Sequence, residues 1–428
     1  MNYRLFLIFI FYSLGIKGQI WSNLGAGTNN YVHVLDTFQA SLFAGGDFTL
    51  AGASNANYIA KWNNSSWSSI TSGTDGGVRS LCSYNNELFV GGRFNTSGGL
   101  TCGNISKWNG STWIIPSFGL TGSGSNCVYS LCIYNSDLYI GGRFGPSPNN
   151  ILKWNGTTTS LLGSGLTPWN SSYAFVQTFY NGELYVGGSF NSAGSTSANN
   201  IAKWDGTNWS NLGTGTGAVY ALAVFNNELY VGGSFNTAGG ITANNIAKWD
   251  GMNWSAVGTG MNNRVNALAV YNGELYAGGR FTTADGNQAN HIAKWNGTNW
   301  TSLGLGTDTT VNALKVFNGD LIVGGEFTNA GGNPANYIAK WNKIVGVNEH
   351  QKSVISIYPS PAHQSLYISM NDYSVQNLKI LLINTLGETI LVEENKLQLD
   401  VSTIKDGVYY LQIKNASGLI TKKIVIQH

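Results

Sequence analysis

Side chains able to do chemistry are few in this chain, and they are regularly placed. The tetrapeptide Gly-Gly-x-Phe recurs seven times, and only its third position changes: Asp47, Arg93, Arg143, Ser189, Ser234, Arg280 and Glu326. Two more arginines, Arg79 and Arg264, stand a short way upstream of it in their own repeats. A planar guanidinium fork matches carboxylate and sulfate oxygens. Asp47, Arg79, Arg93, Arg143, Arg264, Arg280 and Glu326 are therefore candidate binding residues for an acidic glycan. The competing reading is that the arginines pair locally with Asp47 or Glu326, or are simply solvated.

Of the five histidines, only His33 and His291 fall in the repeated region, at different template positions and without a companion His or Cys cluster. No transition-metal site is expected from them. The chain has no GxSxG, Walker loop, HExxH or Ser-x-Asp-x-Gly-x-x-Trp pattern, so no catalytic residue and no cofactor are assigned. Six carboxylates recur at one template position, Glu87, Asp137, Glu183, Glu228, Glu274 and Asp320, which points to a structural task.

The elements that carry these residues follow from the period. Gly-Gly returns at Gly45, Gly91, Gly141, Gly187, Gly232, Gly278 and Gly324, and Lys-Trp returns in phase with it at Trp62, Trp108, Trp154, Trp204, Trp249, Trp295 and Trp341. A period in this range marks a repeat architecture. Within one repeat, "VNALAVY" and "ELYAGGRF" are strand-like runs joined by Asn272-Gly273, the dipeptide suited to a type I′ hairpin. "HIAKW" and "WTSL" flank a second tight turn. Each repeat thus supplies four antiparallel strands, a to d, and four short strands per repeat is the pattern of a β-propeller blade. The glycines admit a neighbouring sheet where blades crowd, and the tryptophans fill the space between sheets. The acid opening strand b should meet the Lys-Trp lysine at the end of strand c as an ion pair within the blade.

The last repeat lacks a strand d, whereas "WSNLG" at Trp21 to Gly25 repeats Trp209 to Gly213. The N-terminal strand is therefore expected to complete the last blade, giving seven. Turns a-to-b and c-to-d are tight and share one face; the longer b-to-c and d-to-a loops share the other, which is where a ligand should bind. Cys102 in a b-to-c loop and Cys127 just before the next strand a are expected on that face as a disulfide, with a metal site or two free thiols as the alternative. Cys82 and Cys132 occupy one strand-a position as small buried thiols.

The ends of the chain concern address rather than chemistry. Residues 1–19 carry Arg4, an apolar run and then small residues, as a secretory signal peptide does. The run is shorter than the ~20 residues that span a bilayer, and no later segment is long enough, so no membrane span is expected in the mature chain. A net charge of +2 and the lack of a basic block argue against nucleic acid as a partner. The propeller is assigned to 20–345, a linker to 346–352 and a small β-sandwich of alternating strands to 353–428. The fold class is all-β.

The doubled glycine after an apolar strand, followed by spaced aromatics ending in Trp, resembles the kelch repeat over residues 21 to 342 and also the repeats of fungal cortical polarity markers. That resemblance implies a binding scaffold, or an oxidase, for which the paired histidines and Cys-linked tyrosine are not in evidence. The tail resembles the type A C-terminal sorting domain of type IX secretion cargo through Tyr358, Pro359 and Pro361 of "YPSPA", Gly387, Gly407 within "LDVSTIKDGVYYLQI", and Lys422 and Lys423 of "KKIVI". Ser360 departs from the usual Asn. The resemblance implies the type IX machinery as partner and an extracellular or outer-surface location. Together these features predict a binding or adhesion propeller recognising glycan or protein through its long-loop face, the alternative being a polysaccharide hydrolase or lyase with its site in the funnel.

Overall fold

The computed structural model describes residues 19–118, 120, 126–145, 149–168, 171–343, 356–359, 361–369, 378–415 and 418–428. The signal peptide expected over 1–19 lies outside them except for Gln19; Ser360 and the linker at 346–352 also lie outside. The chain divides into two compact units between Lys343 and Ile344.

Among its described residues the first unit holds seven antiparallel meanders of four strands, one of them with a short fifth strand beside it. Their a strands are Val32–Phe38, Val78–Tyr84, Cys127–Tyr134, Tyr173–Tyr180, Thr216–Phe225, Val265–Tyr271 and Val311–Phe317, numbered here as blades 1 to 7. In blade 6, b is Glu274–Gly279, c is Ile292–Trp295 and d is Trp300–Ser302. Successive a strands touch one another, and the a strand of blade 7 touches that of blade 1. The a strands therefore line the axis of a closed ring. Gln19–Asn23 pairs with Ile338–Lys343, Trp21 standing opposite Trp341, so the N-terminal strand completes the blade that ends the repeat.

The first glycine of each pair is where the blades meet. A Cβ on Gly232 would lie 2.6 Å from Val265 Cγ1 of the next blade, and one on Gly324 would lie 2.6 Å from Val32 Cγ1 across the ring closure. The second glycine has another cause: a Cβ on Gly46, Gly142, Gly233 or Gly325 would collide with a carbonyl oxygen at the start of strand a, that of Tyr31, Cys127, Ala218 or Thr310. The a-to-b turns hold Asn85 and Asn86 at φ 47° and 58°, and Asn226 and Asn227 at 47° and 60°, the left-handed pair a type I′ turn requires. The c-to-d turns are closed by Asn or Asp; the Asp250 carboxylate accepts from the Met252 and Asn253 amides.

Tryptophans pair within blades, Trp249 and Trp254 at 5.3 Å and Trp295 and Trp300 at 5.4 Å between ring centres. The strand-d member also reaches back one blade: Trp67 Nε1 donates to Leu24 O, Trp209 to Leu162 O and Trp254 to Leu212 O. The six expected ion pairs are all formed, Lys107–Glu87, Lys153–Asp137, Lys203–Glu183, Lys248–Glu228, Lys294–Glu274 and Lys340–Asp320, at 2.7 to 3.1 Å.

The second unit has one sheet of Ser356–Tyr358, Ser365–Ser369 and Gln398–Asp400, and another of Lys379–Asn384, Thr389–Glu394, Gly407–Asn415 and Gly418–Ile426. Leu366, Ile368, Leu382, Leu399, Leu411 and Ile426 form its core. No helix among the described residues of the chain is long and apolar enough to cross a membrane.

Candidate functional site

Each a strand is interrupted by a one-residue bulge directly after a buried Val or Ala near its start, and that of blade 5 has a second irregularity between Thr216 and Ala218. The ladder skips from Val32 to Val34, Val78 to Ser80, Val128 to Ser130, Ala174 to Val176, Val219 to Ala221, Val265 to Ala267 and Val311 to Ala313. The skipped residues are His33, Arg79, Tyr129, Phe175, Tyr220, Asn266 and Asn312. A bulge leaves its extra residue outside the ladder and re-aims the side chain. Here it lifts one side chain per blade out of the buried alternation, at the long-loop end of the axis-lining strands. All seven are half-buried; Tyr129 meets Phe175, Phe175 meets Tyr220, and Asn266 meets Asn312.

Blades 1 and 2 contribute a charged cluster. His33 Nε2 lies 2.7 Å from Asp47 Oδ2, and Arg79 Nη2 lies 3.1 Å from Asp47 Oδ1. Burial alone would raise the Asp47 carboxyl; hydrogen bonding and charge from His33 and Arg79 outweigh it and hold the group below its ordinary value. Arg79 Nη1 is buried without a partner among the described residues.

Blades 3 to 5 contribute a column of rings. Tyr173 and Phe175 stack at 5.2 Å and 20°, and Phe175 and Tyr220 at 5.0 Å and 19°. Tyr129 meets Phe175 edge-on at 5.3 Å. Guanidinium groups close both ends, Arg143 5.4 Å from the Tyr173 ring centre and Arg264 4.4 Å from that of Tyr220. Arg264 Nε donates to Asn266 Oδ1 at 2.6 Å, Asn266 Nδ2 to Asn312 Oδ1 at 3.0 Å, and Asn312 Nδ2 to Glu326 Oε1 at 3.5 Å. The belt runs on in this way through blades 6 and 7.

The seven candidate binding residues thus separate. Asp47 and Arg79 come together as a pair, which is the local pairing weighed against anion binding. Arg143 and Arg264 join the aromatic column, and Glu326 ends the asparagine chain. Arg93 and Arg280 are exposed at the rim. Sequence reasoning missed Tyr129, Tyr173, Phe175 and Tyr220. The signal was present, since this position of strand a varies while the residues on either side of it stay Val, Ala or Ser.

The disulfide expected between Cys102 and Cys127 is not formed; all four cysteines are free thiols. Loop order puts both near one face, but at different depths from the axis. Cys102 closes a b-to-c hairpin and packs with Ile70, Phe94 and Trp113, whereas Cys127 opens an axis-lining strand opposite Arg143. Burial pushes the Cys127 thiol up to about 12 and that of Cys132 to about 11, which makes both poor nucleophiles.

In the second unit Tyr358 stacks on Tyr367 at 5.9 Å. Gly387 takes φ 87° in a turn, Gly407 opens a strand, and Lys422 and Lys423 are exposed on the last strand.

Fold and tail together define an all-β exported protein, a β-propeller carrying a secretion address. Residues 356–427 match the family model for the secretion system C-terminal sorting domain. Such a domain engages the type IX secretion machinery and sends its chain to the cell surface or the extracellular space, where this protein belongs. Residues 173–320 match the Rax2 C-terminal beta propeller domain, and 318–343 match a beta-propeller domain of unknown function, DUF5122. No curated protein matches the chain. Among solved structures, the extracellular domain of a hybrid two-component system from B. thetaiotaomicron is similar over 93% of this chain and 55% of that one, at 12% identity and a TM-score of 0.52. A second such domain from that organism is similar over 96% and 59%, at 13% identity and 0.50. PorZ, a surface component of the type IX secretion system of Porphyromonas gingivalis, is similar over 94% and 60%, at 14% identity and 0.49. The chain thus spans 55 to 60% of the length of these chains. At such identity the likeness is one of fold.

Proposed function

We propose that this protein is a seven-bladed, kelch-like propeller that binds glycan or protein at the cell surface through its long-loop face. In this reading 1–19 is a cleaved signal peptide, 20–345 the binding domain, 346–352 a linker and 353–428 the sorting domain. The observation that carries it is the contrast between a uniform scaffold and a non-uniform belt. Glycines, tryptophans and ion pairs repeat from blade to blade, whereas the bulge position holds His, Arg, Tyr, Phe, Tyr, Asn and Asn in turn. Variation confined to one mouth of a rigid ring is what recognition of a particular ligand requires, because the scaffold has no use for it.

A second reading has one specific support. The His33–Asp47 pair beside Arg79 places a proton carrier next to a guanidinium in the funnel, an arrangement suited to a polysaccharide hydrolase or lyase. Both readings are tested by applying the full exported chain to glycan and surface-protein arrays and then measuring turnover of every ligand retained. Retention without turnover supports the binding module, and turnover abolished by His33→Ala supports the enzyme. Retention of nothing on either array overturns both.

A further inference from the structure

We propose that the guanidinium-capped column Arg143–Tyr173–Phe175–Tyr220–Arg264 is the anchor for the carboxylates of a uronate-containing oligosaccharide. This rests on the binding reading above and names its ligand class. The fold does not require aromatic residues here: the same bulge position is His33, Arg79, Asn266 and Asn312 in the other blades, all half-buried. Three adjacent blades carrying Tyr129, Phe175 and Tyr220 therefore reflect a task other than packing.

Near-parallel stacking turns the faces of these rings towards one another and towards the two guanidinium groups. What a ring then offers outward is its edge, the electropositive part of the quadrupole. Edge and guanidinium act in the same sense, so this arc of the mouth attracts anions. Arg264 is held twice, by the Tyr220 face at 4.4 Å and by Asn266 at 2.6 Å from Nε. Its planar group is thus oriented in advance, and its terminal nitrogens make no bond to protein among the described residues. A fork held in this way takes a planar carboxylate through two parallel N–H donors at little ordering cost. Beyond it, the amides of Asn266 and Asn312 are spent on Arg264, on each other, on the carbonyls of Val311 and Val32 and on Glu326, so they hold the guanidinium in place rather than contact the sugar. Arg93 and Arg280, exposed at the rim and without a ring to stack on among the described residues, have no such orientation and are not the anchor.

Calorimetric titration of the full chain with oligogalacturonate, and with the same oligosaccharide methyl-esterified, tests this. The ester keeps the sugar rings and removes the charge, so it should bind at least about tenfold more weakly. Arg264→Gln should weaken the acid at least about tenfold and abolish the difference between acid and ester. Arg264→Lys keeps the charge but not the planar fork, and should recover only part of the affinity. Phe175→Leu should weaken acid binding severalfold by releasing the stack, with the thermal midpoint reporting that the blade remains folded. Arg280→Gln should bind as the parent does. Equal binding of acid and ester, or loss in Arg280→Gln but not in Arg264→Gln, overturns the anchor. A parent that binds neutral glycans or proteins but no uronate overturns it while leaving the binding reading intact, whereas a parent that binds nothing on the arrays fails the binding reading itself.

Discussion

Seven residues share one left-handed backbone position just before strand c: Tyr58, Asn104, Asn150, Asn200, Asn245, His291 and Tyr337, with φ from 61° to 70°. Asparagine suits it because its amide completes two backbone groups. Asn245 Oδ1 accepts from Phe235 N, and its Nδ2 donates to Met261 O. His291 cannot do both, and its Nδ1 is buried without a partner. Burial holds its pKa below the ordinary histidine value of 6.5. Below that value the unfolded chain binds more protons than the folded one, so this residue makes stability fall as pH drops through 6.5. His291→Asn should raise stability by about 1 kcal/mol at pH 7 and flatten that part of the pH profile. Urea unfolding of both proteins across this range is the check, and an unchanged slope would contradict the account. The contrast between His291 and its asparagine counterparts was visible in the sequence as a substitution within a template. Its meaning was not, because the two backbone groups that the amide serves belong to the Gly-Gly-x-Phe stretch and to the next d-to-a loop.

At the scale of the element, the strands and their register were legible from short-range pattern. The Asn-Gly turns, the alternating runs and the acid-to-lysine spacing each involve residues within one repeat, and the structure places them as that pattern implies. Glu228 and Lys248 sit diagonally across strands b and c, Lys248 standing opposite Tyr230. With both side chains more than a quarter exposed, their coupling in a double-mutant cycle of Glu228→Gln and Lys248→Met should not exceed about 1 kcal/mol. A coupling of about 3 kcal/mol would mark the pair as buried in effect and contradict the view that it sets register more than stability. Two features of the elements escaped the pattern. The b-to-c loops are small hairpins, such as Thr283–Ala284 with Asn287–Gln288, and they bond to the preceding d-to-a loop, as Gly52 N does to Gly27 O and Gly331 N to Gly306 O. The bulge in each a strand was hidden as well, because a single extra residue barely disturbs an alternating sequence.

For the whole molecule, the N-terminal strand is the clasp of the ring. Trp21 is 9% exposed, packs at a tilt of 57° against Trp341 with ring centres 5.2 Å apart, and donates to Leu303 O of the preceding blade at 2.8 Å. Trp21→Ala removes the packing and the hydrogen bond together, and should cost about 3 to 5 kcal/mol. Gly324→Ala sets a methyl against Val32 at the same seam and should cost about 1 to 3 kcal/mol. Chemical unfolding of the full chain, followed by tryptophan fluorescence, measures both; a loss below about 0.5 kcal/mol in both variants would mean that the ring does not depend on this closure. Sequence alone determined the repeat, its four strands, the use of the first strand to finish the last blade, and the export address, because each is written in local periodicity or in a contiguous motif. Tertiary structure decided which variable positions meet. Tyr173, Phe175, Tyr220 and Arg264 come from three repeats, and nothing in their spacing says that they touch. They do so because ring closure sets a strands side by side around an axis, and because the bulge turns Phe175 and Tyr220 towards each other, with Tyr173 and Arg264 beside them at the same end of their strands.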